Sequence, residues 1–208
     1  AHATWAPQGW PLVLVPGDTV HRAGERPPES YALFRLDGLE DDLGLLLKRR
    51  GEISGLSFSP DGSRFAFTEE TGRGRALWTA SRQGGKPRLL FRVRGNPYAS
   101  WSPSGRELAV NAIPQEKSLR RHVFLVSLDG SKTRSLTNDT IAEGAPAWTS
   151  DGRWITYAGE DGSVDKIRRD GSGRRRLFEL PGEEIVGLDW SPDGRHLAFT
   201  SRPIPPID

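Results

Sequence analysis

An all-β fold of repeated antiparallel sheets is predicted by three features of the sequence. A tight-turn motif recurs in register five times, a second hairpin recurs between its copies, and the spacing is that of a four-stranded propeller blade. The turn motif is clearest from Asp189 to Ser201, DWSPDGRHLAFTS. Before the turn, Leu188 and Trp190 alternate with Gly187 and Asp189. Pro192 then presets φ near about −65°, Asp193 can bond to its own backbone, and Gly194 tolerates positive φ. Beyond it, Leu197 and Phe199 alternate with His196, Ala198 and Thr200, the period-two pattern of a strand with one apolar face.

The other copies lie on this template without gaps: WAPQGWPLVL from Trp5, FSPDGSRFAF from Phe58, WSPSGRELAV from Trp101 and WTSDGRWITY from Trp148. The aromatic positions Trp5, Phe58, Trp101, Trp148 and Trp190 are separated by 53, 43, 47 and 42 residues, close to the roughly 40 to 45 of a propeller blade. The second hairpin appears as Tyr31 to Leu47, Leu77 to Phe91, Val123 to Thr137 and Val164 to Phe178, with Asp-Gly or Gly-Gly supplying each reversal. Each period therefore reads as strand A, turn, strand B, connection, strand C, turn, strand D. The prediction is an all-β β-propeller of about five four-stranded antiparallel blades, four full blades plus a half blade. The repeat aromatics are expected in equivalent, largely buried places, where large rings pack between neighbouring sheets.

The fifth copy is incomplete in this sequence. Strand B ends near Ser201, and the short proline-rich RPIPPID that follows cannot make two more strands. Residues 1–201 read as one domain and residues 202–208 as an extended tail. Whether the ring closes by itself or with strands from elsewhere is left open. No methionine occurs, even at position 1, so the chain reads as a processed product or part of something longer.

The motif resembles the TolB-like, WD-type β-propeller repeats of bacterial envelope proteins, whose signature is an aromatic followed by Ser-Pro-Asp-Gly and an aliphatic-aromatic strand. Trp190 to Phe199, Phe58 to Phe67 and Trp101 to Val110 match best; Trp148 to Tyr157 departs by carrying Ser150 where proline is expected. The resemblance covers nearly the whole chain. It implies a propeller but no single activity. It also implies export, and with the Ala-His-Ala start the expected location is periplasmic or extracytoplasmic, peripheral to a membrane.

Composition excludes several classes. With 29 Lys and Arg against 27 Asp and Glu the net charge is only +2, too balanced for nucleic-acid binding. No apolar run approaches the roughly 20 residues needed to span a bilayer as a helix. One stretch is strongly basic: Lys166, Arg168, Arg169, Arg174, Arg175 and Arg176 fall on the second hairpin of the fourth copy. Edge-strand charges that block edge-to-edge pairing account for it first, and a secondary patch for acidic protein or lipid headgroups second. No aromatics are interleaved with these arginines in sequence, which argues against stacked nucleic acid. The acidic run from Glu160 to Asp165 reads as a turn, since it lacks the calcium-loop pattern.

No nucleophile elbow, zinc-protease motif or phosphate loop occurs, and His2, His21, His122 and His196 form no ligand pair at metal spacing. No catalytic, cofactor-binding or metal-ligating residue is assigned, no cofactor is expected, and the reading is non-enzymatic. Irregularity gathers in the B to C connections, Val15 to Ser30, Asn111 to Arg121 and Glu69 to Arg75, all on one end of an up-and-down blade. Insertions in repeat proteins collect on the binding face, so His21, Arg22, Arg26, Lys117, Arg120 and Arg121 are the candidate partner-binding residues. The expected function is a scaffold or accessory subunit that docks onto another protein, one of an envelope or membrane-associated complex. The alternatives are the gating propeller of a larger peptidase or hydrolase and an extracytoplasmic sensor propeller.

Overall fold

The structure, a computed structural model, describes residues 2–5, 11–16, 31–36, 43–114, 120–138 and 144–204, with side chains from Leu45 onward. It is all-β and built of antiparallel sheets. The chain divides into two compact units, Ala1–Phe91 and Arg92–Asp208.

In the first unit, β1 (His2–Trp5), β2 (Pro11–Pro16), β3 (Tyr31–Leu36) and β4 (Leu43–Arg49) form a four-stranded sheet in that order. β5 (Ile53–Phe58), β6 (Arg64–Thr71) and β7 (Gly74–Ser81) follow as successive neighbours. Leu47, Ile53, Phe65, Phe67 and Ala80 bury together as this unit's core. The strand β8 (Arg88–Trp101) runs across the unit boundary.

In the second unit, β8 is followed by β9 (Glu107–Pro114), β10 (His122–Ser127) and β11 (Thr133–Ser135). A four-stranded sheet comprises β12 (Ala147–Trp148), β13 (Trp154–Ala158), β14 (Ser163–Arg168) and β15 (Arg175–Glu179). A two-stranded sheet, β16 (Glu183–Trp190) and β17 (Leu197–Pro203), comes last. Val123, Leu125, Trp148, Ile155, Tyr157 and Ile167 form one core cluster, and Ala158, Val164 and Ile185 another.

The repeated motif has one conformation wherever its turn is described. Ser59, Ser102, Thr149 and Ser191 each donate a backbone N–H to the residue five positions on and accept one from the glycine three positions on. Those glycines, Gly62, Gly105, Gly152 and Gly194, sit at φ between 63 and 68°, where a side chain would be strained. In the copies with aspartate, the Ser59, Thr149 and Ser191 hydroxyls each donate to Asp61, Asp151 and Asp193 at 2.6 Å. The same turn serves the second hairpin at Ser127, Asp129 and Gly130. Shared turns give a shared register: Phe58 pairs with Phe65, Trp101 with Leu108, Trp148 with Ile155 and Trp190 with Leu197. The first copy is one residue tighter, with Trp5 opposite Pro11.

These turns carry a pH dependence. The Ser59 hydroxyl first, then the Ser63 backbone N–H, hold the Asp61 carboxyl down to about 2. Its folded value lies below its unfolded one, so the carboxylate's stabilisation is complete above about pH 4 and is lost as pH falls through about 2. Asp61→Asn keeps an acceptor but cannot titrate. Its melting temperature should fall less steeply than the parent's between about pH 4 and about pH 2; superimposable acid limbs would remove Asp61 from the account.

Four local expectations are corrected. The segments that read as separate strands before and after Phe91 are parts of one 14-residue strand. Within it Gly95 sits at φ 61° and the ladder to β9 shifts register between Arg94 and Tyr98, as at a β-bulge. Glu69 to Arg75 is no irregular loop, because Thr71 pairs with Gly74 and β6 passes into β7 through a tight reversal. Asp165 does not belong to an acidic turn but lies within β14, nearly inaccessible at 2% exposure. The pairing of β17 runs through Arg202 and Pro203 into the segment that read as tail.

Candidate docking surface

The basic stretch is sorted by strand geometry into three groups. Arg169, just past β14, makes a two-pronged contact with the Glu107 carboxylate, Nε donating at 2.6 Å and Nη2 at 2.9 Å. Arg174 and Arg176 turn to one face of β15 and donate to Asp165 at 2.7 Å and 3.2 Å, and Arg176 also reaches Glu179 at 2.6 Å. The remaining three, Lys166, Arg168 and Arg175, lie on the opposite face. There they surround the Trp154 indole at 4.8, 5.1 and 5.7 Å from its centroid.

Register dictates this grouping. Trp154 is opposite Arg168, Thr156 opposite Lys166, and Lys166 opposite Arg175, so alternate residues of three strands share one side. The indole face attracts each cation, yet the three cations repel one another within about one Debye length, roughly 8 to 10 Å. Among the described residues none of the three forms an ion pair. The three cations and the indole form one cluster with an aromatic floor. Sequence inspection missed it because Trp154 lies on the neighbouring strand. Aligning the turns at Gly152 and Gly171 would have placed it.

Of the loop residues expected to bind a partner, His21, Arg22, Arg26 and Lys117 lie outside the described residues. Arg120 is exposed. Arg121 is turned inward at 7% exposure, donating to the Asn96 carbonyl at 2.9 Å and stacking over Tyr98 at 5.2 Å. Its guanidinium holds the strand end and does not present itself to a partner.

The repeat aromatics are also less buried than their motif implies. Trp148 is buried and its indole N–H donates to the Ser100 carbonyl at 3.3 Å, whereas Phe58, Trp101 and Trp190 are half-buried. Each closes its strand beside the turn. The Trp5 side chain lies outside the described residues.

A small cleft lies between Asn111, Gly144, Tyr157, Ile185 and Gly187, with room for about one water molecule. Ligand sites for drug-sized molecules run from about 300 to 1,000 Å³, and the Asn111 amide already spans the cavity to the Gly144 carbonyl at 2.9 Å. It is a poor receptor for an organic substrate. Among the described residues no helix is long and apolar enough to cross a membrane.

No protein-family model matches the chain. It is 33% identical over 122 residues to dipeptidyl-peptidase 5 of Porphyromonas endodontalis, a match covering 55% of this chain and 17% of the peptidase. It is 25% identical over 208 residues to an uncharacterized protein of Agrobacterium fabrum, covering 95% of this chain and 64% of that one. The chain thus spans less than two thirds of the length of either relative. Among solved structures, a protein of Agrobacterium tumefaciens assigned as a TolB superposes with a TM-score of 0.72 at 21% identity, over 99% of this chain and 71% of that one. TolB from Acinetobacter baumannii gives a TM-score of 0.65 at 20% identity over 83% and 43%. The C-terminal WD40 domain of Sif2 gives 0.68 at 15% over 96% and 54%. The repeated turn, the antiparallel sheets and these superpositions agree: the chain has the fold of the TolB-like β-propeller repeats.

Proposed function

We propose that the chain is a non-enzymatic β-propeller scaffold, periplasmic or extracytoplasmic, that docks onto a protein of an envelope or membrane-associated complex. In this reading its sheets are the blades of one propeller of about five. The supporting observation is the fold likeness, which extends over nearly all of this chain to a TolB-assigned structure. The docking face is the one bearing the B to C connections, through His21, Arg22, Arg26, Lys117 and Arg120. Insertions in repeat proteins collect on the binding face.

The test is to replace Thr19 to Glu29 by a Gly-Ser link together with Lys117→Ala and Arg120→Ala. Arg121 is left intact because its buried guanidinium would confound folding with binding. The variant should keep the parent's circular dichroism and melting temperature, while native mass measurement of the purified complex should show the partner lost. An unchanged complex would exclude this face.

A second reading is favoured by the relation to dipeptidyl-peptidase 5, which matches this chain over 17% of its length. Here the chain would be the propeller of a larger peptidase and gate an active site carried elsewhere. A hydrolase nucleophile elbow encoded in the same reading frame would establish that reading and displace the scaffold.

A further inference from the structure

Seven Asp-Gly pairs occur in the sequence, and six of them lie in described turns. Asp-Gly is the dipeptide most open to spontaneous rearrangement, because glycine has no side chain to shield its peptide nitrogen. That nitrogen attacks the aspartate Cγ: a C–N bond forms, and one carboxyl oxygen leaves as water. The cyclic imide so formed then takes up one water. Opening at the side-chain carbonyl restores aspartate, whereas opening at the main-chain carbonyl leaves isoaspartate, with Cβ in the backbone and the α-carboxyl free. Water is the only co-reactant. In a folded chain the rate depends on whether Cγ can swing onto the glycine nitrogen.

Four turns resist that swing. The hydroxyls of Ser59, Ser127, Thr149 and Ser191 each donate at 2.6 Å to the aspartate two positions on, Asp61, Asp129, Asp151 and Asp193. Each hydroxyl oxygen is itself anchored, accepting the backbone N–H of Arg64, Lys132, Trp154 or His196 at 2.9 to 3.0 Å. From the other side each carboxylate accepts the N–H two residues further on, at 2.9 to 3.0 Å. The carboxylate is thereby tied to both limbs of the hairpin, and turning it breaks contacts on both.

Two turns have no such hydroxyl, because Gly159 stands two positions before Asp161 and Arg168 two before Asp170. Their glycines differ. Gly162 is buried with its carbonyl accepting the Leu180 N–H at 3.0 Å, and even a methyl group there would collide with the Leu180 carbonyl oxygen. Asp161 has no space in which to close. Asp170 is exposed and Gly171 half-buried, and the hydrogen bonds to the Asp170 carboxylate come from Ser172, on the far limb alone. The backbone around it is meanwhile held: the Arg134 guanidinium donates to the Asp170 carbonyl at 2.5 Å and to the Arg169 carbonyl at 2.6 Å. A cation on that carbonyl draws electrons from the Asp170–Gly171 peptide and acidifies its N–H, and the deprotonated nitrogen is the form that attacks. The Gly171 N–H also donates to the Arg168 carbonyl at 2.8 Å, but the glycines of the other turns make the same bond, so it does not separate the six.

We propose that Asp170–Gly171 is a site of covalent self-modification, at which the folded chain converts aspartate to isoaspartate faster than at any other described turn. The added backbone carbon lengthens the turn that carries the Arg169–Glu107 fork and both Arg134 contacts, so the modification loosens this hairpin from β9 and β11. It lies on the tight-turn end and does not rest on the docking reading.

The test keeps the folded 208-residue chain warm at neutral pH for several weeks. Each Asp-Gly peptide is then assayed for isoaspartate by enzymatic methyl transfer to the freed carboxyl and by chromatographic separation of the isomers. The Asp170 peptide should gain several times more than those of Asp61, Asp129, Asp151, Asp161 and Asp193. In urea-unfolded chain Asp61, Asp129 and Asp170, which share the sequence Asp-Gly-Ser, should react alike, which assigns the difference to the fold. Ser191→Ala removes one hydroxyl tie and should raise the Asp193 rate several-fold; if that variant does not fold, Thr149→Val does the same for Asp151. Equal accumulation at the six sites of the folded chain, or more at Asp161 than at Asp170, overturns the proposal. So does an Asp170 excess that persists in urea, or an unchanged rate in the folded hydroxyl variant.

Discussion

Phe65→Ala should lower the stability of the first unit by about 3 to 5 kcal/mol, a loss read as a fall in the denaturant midpoint at unchanged slope. Phe65 is fully buried, edge-on to Phe58 at 6.4 Å and tilted against Phe67 at 5.9 Å. Truncation removes its apolar burial and both ring contacts, and leaves a cavity that two paired strands cannot close. Phe65→Leu keeps most of the volume and should cost about 1 kcal/mol. A loss below about 1 kcal/mol for the alanine variant would mean that this core collapses freely and that the motif's burial is misplaced.

That position is where the sequence is most and least legible. The aromatic that opens each motif is the conspicuous letter, and it correctly marks the repeat. In three copies the residue paired with it, seven positions on, is inaccessible: Phe65, Leu108 and Ile155 are fully buried, while Phe58 and Trp101 are half-buried; in the last copy Trp190 and its partner Leu197 are both half-buried. A strand's last residue is half in the sheet and half beside the turn, so a large ring there shields the core more than it fills it. Local chemistry such as the Ser-Pro-Asp-Gly turn is readable because its hydrogen bonds close within six residues. The continuity of β8 through Gly95 was not readable, because a glycine followed by Asn96 and Pro97 signals a break equally well. Nor was the Trp154 cluster, since its four members come from three strands and only the register unites them.

The Arg174→Ala, Arg176→Ala double variant should lose about 2 to 4 kcal/mol, far more than two exposed cations would suggest. The reason lies in the unequal environments of the partners. The Asp165 side chain is 3% exposed, whereas the side chains of Arg174 and Arg176 are 46% and 44% exposed. Removing the arginines strands a buried carboxylate; removing the carboxylate merely returns two guanidinium groups to water. Nearby Tyr157 offers no compensating positive charge; burial first and then the Asp165 charge hold its phenol above the usual range. Asp165→Asn alone should therefore cost about 1 kcal/mol or less. Added to the double variant, it should restore most of the lost stability, a coupling larger than 1 kcal/mol in the mutant cycle. If the three substitutions proved simply additive, water would have to reach Asp165 whenever its arginines leave, and the carboxylate would belong to the surface after all.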